Sequence, residues 1–293
     1  MTEKAAVIGA SGYVGRYLLN ALGPRGIGAG HMRAGILLRF DIARDPLQGI
    51  IDAAGGRLSH VFLAGGATNP ERCAREPGAT RIINVANTIR LMKEAMNEGA
   101  TPVFLSTDYV FCGDAGNYHE ADEASPTTEY GRQKAEVEDW LKDSDRPWII
   151  ARLSKVVGLE LDAQSVIGQW AAEMMAGKPI RSADDQVFAP AWAQDIAHAL
   201  AAITGAGQTG VWHIAGPVPI SRYELTRLLA DEIVRVNPSA RIDLSPCKLN
   251  DVGFAETRPL KTWLNSEKLQ AFLPWKFRTM QDLCAKAARR YFT

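Results

Sequence analysis

Near its N-terminus the chain reads Gly9-Ala10-Ser11-Gly12-Tyr13-Val14-Gly15. The preceding residues 5–8 form an apolar run typical of a buried strand, and residues 13–22 have the apolar spacing of a helix. Glycines at such a junction allow a tight turn and a close approach of the backbone to a diphosphate, which the helix N-terminus then faces. A glycine-rich turn also simply reverses the chain in many α/β proteins. We favour dinucleotide binding, with cofactor contacts from Gly9, Ser11, Gly12, Tyr13, Val14 and Gly15.

Strands and helices continue to alternate beyond this turn. We expect strands at residues 36–40, 61–64, 103–106 and 148–151, and helices at 81–97 and 128–142. The second strand should lie in or just after residues 23–30, although glycine weakens a strand there. Alternating βα units imply a parallel sheet covered on both faces. The predicted fold class is therefore α/β, with a Rossmann-type doubly wound parallel sheet.

The pattern changes after about residue 152. Helical spacing at residues 166–176, 193–203, 222–236 and 280–291 is interleaved with shorter strand candidates such as 210–215. We predict a cofactor-binding domain at residues 1–152 and a smaller α/β substrate lobe at 153–293. Segments of this lobe can cross back to complete the first sheet.

Composition excludes several classes of partner. The chain has 46% apolar and 23% charged residues, and its 33 Lys plus Arg balance 33 Asp plus Glu. With no net positive charge to hold a phosphate backbone, we expect no nucleic acid partner. Its four cysteines are scattered and its five histidines form no cluster, so we expect no metal. No apolar run approaches the roughly 18 to 20 residues that span a bilayer, and we expect a cytoplasmic protein without a membrane partner.

The choice of nicotinamide cofactor depends on the residues after the glycine turn. Selectivity for an unphosphorylated ribose usually places Asp or Glu about 20 residues further on. That region instead contains His31 and Arg33. Arg33 can hold a 2′-phosphate, which favours NADP, although a solvated loop arginine and NAD remain alternatives. Asp41, at the end of the third predicted strand, is placed to meet the adenine.

Three further residues predict a proton donor inside this pocket. Tyr130 and Lys134 stand four residues apart in a predicted helix and share one face. Because a nearby cation stabilises a phenolate, we expect Lys134 and an oxidised nicotinamide to lower the pKa of Tyr130. Thr107 ends a predicted parallel strand, where such sheets bind ligands, and we expect it to donate a hydrogen bond to the substrate oxygen. The alternative is a surface helix beside a capping threonine.

These features together resemble the extended short-chain dehydrogenase/reductase family, and within it the sugar-nucleotide reductases related to dTDP-4-dehydrorhamnose reductase. The resemblance covers nearly the whole chain. It depends on residues 9–15, the run Ser106-Thr107-Asp108-Tyr109-Val110-Phe111, residues 130–134, Asp185-Gln186 before Pro190, and Arg258-Pro259 before Leu264. The chain departs from the family at Cys112 and in the turn Ala64-Gly65-Gly66-Ala67, which puts the identity of the substrate most in doubt.

The resemblance implies a role for each matching residue. Thr107, Tyr130 and Lys134 would be catalytic, and Tyr130 and Lys134 would also contact the cofactor. From position along the chain, we further expect cofactor contacts from Arg33, Asp41, Ile42, Ala64, Gly65 and Gly66. The substrate would contact Thr107, Asp108, Tyr109, Gln186 and Arg258.

The implied activity is NAD(P)H-dependent reduction of a nucleotide-linked 4-keto-6-deoxysugar. Two alternatives remain open: a nucleotide-sugar epimerase that keeps NAD bound, and a non-catalytic NADP-binding regulatory subunit. Relatives pair as dimers through the helices at 81–97 and 128–142, and the resemblance makes a homodimer one possibility, while the sequence leaves the oligomeric state open.

Overall fold

The computed structural model describes residues 3–31, 37–160 and 165–292. Their strands are β1 (Lys4–Ile8), β2 (Gly26–Gly30), β3 (Leu38–Arg39), β4 (Leu58–Leu63), β5 (Thr101–Thr107), β6 (Ile149–Leu153), β7 (Val156–Val157), β8 (Ile180–Ala183), β9 (Val187–Phe188), β10 (Ala191–Trp192), β11 (Gly210–Ile214), β12 (Ile220–Ser221) and β13 (Leu244–Cys247).

The α-helices in the same residues follow these strands in chain order. They are α1 (Tyr13–Leu22), α2 (Gln48–Ala53), α3 (Pro70–Arg75), α4 (Pro77–Arg81), α5 (Thr88–Asn97), α6 (Glu129–Lys142), α7 (Val166–Met175), α8 (Ala193–Gly205), α9 (Arg222–Val236), α10 (Glu267–Phe272) and α11 (Met280–Phe292). None of the described helices is both long and apolar enough to span a bilayer.

Seven strands form one parallel sheet in the order β11-β6-β5-β4-β1-β2-β3. The strand order reverses between β1 and β4, and ligands bind at such a switch point beyond the carboxyl ends of the strands. The predicted doubly wound parallel sheet is confirmed. The division at residue 152 stays a prediction, and β11, which lies beyond it in sequence, is an edge strand of this sheet.

Both faces of the sheet are buried because successive side chains of a strand point to opposite faces. One face is covered by α1 and α8 and contains Val7, Leu18, Phe62, Val103 and Leu200. The other is covered by α5 and α6 and contains Ile8, Val61, Leu91, Phe104 and Leu141. The strands therefore read as continuous apolar runs rather than as alternating ones.

A third apolar cluster lies among α7, α9 and α11. Helix α9 begins at a capping box, in which Ser221 accepts from the N–H of Glu224 and the Glu224 side chain accepts from the N–H of Ser221. Three short strand pairs, β7-β10, β8-β13 and β9-β12, lie outside the large sheet. Their residues Val157, Ile180, Phe188 and Trp192 belong to this cluster.

Two local predictions needed the structure to resolve them. The second strand does lie in the glycine-rich stretch, as β2. Glycine is needed at position 28 because the side chains of Leu19 and Leu37 occupy the space that a Cβ would take. The helix expected at residues 81–97 is interrupted by a π-helix at Ile82–Asn87. Such π-helical turns frequently occur at functional sites.

Candidate active site

The glycine turn joins β1 to α1 at the switch point. Gly9 has φ +90, and a Cβ there would overlap the backbone of Gly65 in the turn after β4. A Cβ on Gly15 would overlap the carbonyl oxygen of Gly9. Gly12 caps α1 without a side chain, and the first turn of α1 carries no acidic residue. The turn is thus a cradle that suits a diphosphate at the helix N-terminus.

The remaining residues of the predicted turn have different surroundings. Ser11 is exposed, and Val14 packs against the α1 face of the sheet. The Tyr13 hydroxyl donates to Glu160 at 2.8 Å, and Glu160 also accepts from the Tyr17 hydroxyl. Glu160 thereby ties the first turns of α1 to the segment after β7.

The turn after β4 forms the second wall of the cradle. Ala64 donates its N–H to the carbonyl of Ile8 at 2.9 Å, which holds the turn beside β1. Gly65 lies against the Ile42 side chain, where a Cβ would come within 2.5 Å of Cδ1. Gly66 has φ +151, a conformation that favours glycine.

Residues near the expected adenine and ribose are only partly described. Asp41 and Ile42 follow β3 and are half-buried, and Arg90 donates to the Ile42 carbonyl at 2.8 Å. Arg33, the residue expected to select NADP, lies outside the described residues.

The π-helix places Asn84 between the cofactor wall and α6. Asn84 accepts from the N–H of Ala67 at 2.8 Å and donates to the Ala67 carbonyl at 2.9 Å. It also donates to Gln133, the neighbour of Lys134, at 2.7 Å. This buried amide network holds the turn after β4 against the helix that carries the candidate proton donor.

Tyr130 lies in the first turn of α6, which Thr128 caps by accepting from the N–H of Gly131 at 3.2 Å. Burial raises the pKa of Tyr130, and hydrogen bonding with the Thr107 side chain opposes that rise. The expected lowering of this pKa by Lys134 is therefore not found in the protein alone.

Lys134 has a different partner. Its Nζ donates to the Leu105 carbonyl of β5 at 2.8 Å and lies 6.0 Å from the centre of the Tyr130 ring. Burial lowers the pKa of Lys134 to about 8. The ammonium is thus held beneath the site by the strand that ends in Thr107.

Thr107 ends β5 and is 7% exposed. Its hydroxyl donates to Asp108 Oδ1 at 3.1 Å, and it accepts from the N–H of Tyr109 at 3.2 Å. The structure places Thr107 at the predicted strand end, but directs its single proton to Asp108 rather than into the cleft.

Asp108, Tyr109 and Gln186, three of the predicted substrate contacts, lie together. Burial raises the pKa of Asp108 to about 6 and that of Tyr109 to about 12. The Tyr109 ring meets the Tyr130 ring edge-on at 6.2 Å between centroids. Hydrogen bonding with the Gln186 side chain lowers the pKa of Tyr109, opposing the effect of burial.

Arg258 is 6% exposed and already has an ion-pair partner. Its Nη2 lies 3.2 Å from Glu71 Oε2 on α3, and its guanidinium stacks on Phe254 at 4.8 Å. The positive charge of Arg258 also acts on Tyr109, whose pKa it lowers.

Comparison with known proteins identifies the family of the chain. A family model described as the RmlD substrate binding domain matches residues 3–292. The chain belongs to this family. One relative, dTDP-4-dehydrorhamnose reductase of Aggregatibacter actinomycetemcomitans, is 26% identical over 90% of this chain and 91% of its own length. Another, methionine adenosyltransferase 2 subunit beta of Xenopus tropicalis, is 25% identical over 92% and 82%.

Similar solved structures confirm the fold. The dTDP-4-dehydrorhamnose reductase of Bacillus anthracis, solved in complex with NADP, matches with a TM-score of 0.83 at 19% identity, covering 100% of this chain and 99% of that one. A UDP-glucose 4-epimerase of Thermotoga maritima matches at 0.80 and 17% identity, covering 98% and 97%.

Two cations of the cleft were missed by the sequence analysis. Lys155 follows β6, and its side chain keeps solvent contact. The surrounding protein and the charge of Arg222 together lower the pKa of Lys155 to about 8. Arg222 begins α9 and stacks on Trp170 at 5.0 Å. Within the described residues neither side chain has a hydrogen-bond or ion-pair partner. The capping box at Ser221 could have located the start of α9, and Arg222 is the first residue of that helix. No local signal points to Lys155.

Proposed function

We propose that this protein is a reductase that uses reduced NADP to convert the keto group of a nucleotide-linked 4-keto-6-deoxysugar to an alcohol. Its family makes it an oxidoreductase with NADP as cofactor, and NAD stays compatible. The observation that carries the proposal is the cluster of Tyr130, Thr107 and Lys134 at the carboxyl end of β5. This is the sheet edge that also carries the glycine turn.

The bound cofactor would supply a hydride to the carbonyl carbon. Tyr130 would supply the proton, breaking its phenolic O–H bond as the new O–H bond forms on the sugar. Because burial raises its pKa, Tyr130 holds its proton at neutral pH, which suits an acid in the reducing direction. Lys134 would orient the cofactor ribose from beneath.

The two cations without carboxylate partners support a nucleotide-linked substrate. Lys155 and Arg222 lie close enough for the charge of one to lower the pKa of the other. Two like charges this close repel each other, so the pair favours an anionic ligand between them. The diphosphate of a nucleotide sugar would meet this requirement, and Arg258 stands nearby with Glu71.

Two alternatives keep some support. The relative named as a subunit matches most of this chain, which favours a non-catalytic NADP-binding role. A UDP-glucose 4-epimerase shares the fold, which keeps an epimerase with bound NAD as the second alternative. The cytoplasmic location and the homodimer stay predictions.

The test is NADPH oxidation with a panel of nucleotide-linked 4-keto sugars. Wild type should consume NADPH in proportion to sugar, and Tyr130→Phe should lose about 10² to 10⁴ in kcat while still binding NADPH. Tyr223→Phe on α9 is the matched control and should keep full activity. Turnover without added NADPH would favour the epimerase, and NADPH binding with no turnover would favour the subunit.

A further inference from the structure

A hydrogen-bond chain leads from the C-terminal part of the sequence to the candidate proton donor. The Thr262 hydroxyl donates to Asp108 Oδ2 at 2.9 Å, while the Thr107 hydroxyl donates to Asp108 Oδ1 at 3.1 Å. Thr262, Asp108 and Thr107 are 1%, 6% and 7% exposed. Solvent therefore has little access to replace either hydrogen bond.

Thr262 is held in place from both sides. Its N–H donates to the Val187 carbonyl of β9 at 3.0 Å, and the N–H of the preceding Lys261 donates to the Gly113 carbonyl at 2.8 Å. The segment thus bridges β9 and the loop that follows the β5 strand end. Its backbone fixes the Thr262 hydroxyl opposite Asp108.

The donor count around Thr107 has a consequence for catalysis. A hydroxyl has one proton to donate, and in the resting protein Thr107 gives it to Asp108. When Tyr130 loses its own proton, the phenolate oxygen becomes a second acceptor beside Thr107. Thr107 cannot serve both acceptors at once. If it turns to Tyr130, the buried Asp108 carboxylate loses one of its two side-chain donors and keeps Thr262 together with its own backbone N–H.

We propose that Thr262 is a positioning residue that supplies the remaining side-chain donor, so that Thr107 can turn its proton from Asp108 to the Tyr130 oxygen as the phenolate forms. The inference rests on the proposed reductase function. It assigns Thr107 to the stabilisation of Tyr130, in place of the expected hydrogen bond to the substrate.

Several groups face Asp108 and share in its titration. Lys155 approaches from the residues after β6, Tyr130 from α6, and Tyr109 from the turn after β5. Burial raises the pKa of Asp108, and the hydrogen bonds from Thr262 and Thr107 and the charge of Lys155 oppose that rise. Removal of the Thr262 hydroxyl should therefore raise the pKa of Asp108 further.

The kinetic test compares Thr262→Val with Thr262→Ser. Valine keeps the shape but removes the donor, so kcat should fall by about tenfold while the KM values for NADPH and sugar stay near those of wild type. Serine restores the donor and should restore kcat. Thr257→Val, an exposed position five residues earlier in the same segment, is the matched control and should behave as wild type.

A second measurement does not depend on turnover. Titration of the Asp108 carboxylate by ¹³C NMR should show a higher pKa in Thr262→Val than in wild type or Thr262→Ser. If wild type reduces none of the sugars, the proposed function fails, but this titration still tests the hydrogen bond. An unchanged kcat and an unchanged titration in Thr262→Val would overturn the inference, as would a loss of kcat that Thr262→Ser does not restore.

Discussion

At the scale of single residues, His213 is fully buried in β11. Its Nε2 lies 3.2 Å from Arg152 Nη1, and its Nδ1 lies 3.2 Å from the Asn265 carbonyl. Since Arg152 can only donate and the carbonyl can only accept, the neutral ring with its proton on Nδ1 satisfies both. Burial, and secondarily the charge of Arg152, lower the pKa of His213 to about 3.

This burial predicts a loss of stability in mild acid. Unfolded histidine has a pKa of about 6.5, so the unfolded chain takes up a proton that folded His213 refuses until about pH 3. The stability contributed by the neutral His213 ring is present above pH 6.5 and is lost as pH falls. The loss at pH 5 is roughly 2 kcal/mol. The raised pKa of Asp108 acts in the opposite direction, but it does so equally in wild type and variant.

Urea unfolding at pH 7.5 and pH 5.0 would measure the effect. The difference in free energy of unfolding between the two pH values should be about 2 kcal/mol smaller in His213→Gln than in wild type. The exposed His198→Gln on α8 is the control. An equal pH dependence in wild type and His213→Gln would refute the assignment.

At the scale of elements, α1 can approach β1 only because Gly15 has no side chain. Gly15 is buried in the first turn of α1, against the carbonyl oxygen of Gly9. The same carbonyl accepts from the N–H of Gly12 at 2.9 Å. The position of the helix N-terminus and the shape of the glycine turn are therefore coupled.

Gly15→Ala should displace α1 from the turn. We expect a loss of about 1–3 kcal/mol in the free energy of unfolding, with weaker NADPH binding, because overpacking forces the backbone to shift. Gly49→Ala in α2 is a matched control, since a Cβ there meets nothing within 4 Å and alanine favours a helix. Chemical denaturation would measure the free energy of unfolding of both variants, and NADPH fluorescence titration would measure their NADPH binding. A Gly15→Ala variant as stable as Gly49→Ala would count against the close packing.

At the scale of the whole molecule, one buried ion pair connects the sheet to α6. Arg152 on β6 donates to Glu138 on α6 at 2.7 Å, and both side chains are at most 1% exposed. Ser106 on β5 also donates to Glu138, at 2.6 Å, and Arg152 contacts His213 on β11. The network therefore joins three strands to the helix that carries Tyr130.

Breaking this pair should destabilise the whole fold. Arg152→Met removes the buried cation of Glu138 and leaves Ser106 and the partly exposed Lys142, 3.5 Å away, beside the carboxylate. The loss should be as much as about 3–5 kcal/mol. The double variant Arg152→Met/Glu138→Leu should recover much of that loss. Arg72→Met, which breaks an exposed pair with Glu76, should cost no more than about 1 kcal/mol. Urea unfolding of wild type and the three variants would measure these losses in the free energy of unfolding. A loss in Arg152→Met no larger than that in Arg72→Met would contradict the stabilising role of the buried pair.

The sequence by itself determined the features that depend on near neighbours along the chain. Helices α1 and α9 have the predicted bounds, and the glycine turn and parallel sheet are present, because apolar period, caps and turn residues act over a few positions. The π-helix was missed since it depends on Asn84 reaching Ala67 and Gln133, which are distant in sequence.

Only the tertiary structure decided which side chains meet around the cleft. Thr262 reaches Asp108 across 154 positions, Arg258 reaches Glu71 across 187, and Glu160 reaches Tyr13 across 147. The path of the chain through the sheet brings these pairs together, and no local pattern specifies the partner. Tertiary packing also set the pKa of Tyr130, because burial raises it and the ammonium of Lys134 is held by the Leu105 carbonyl.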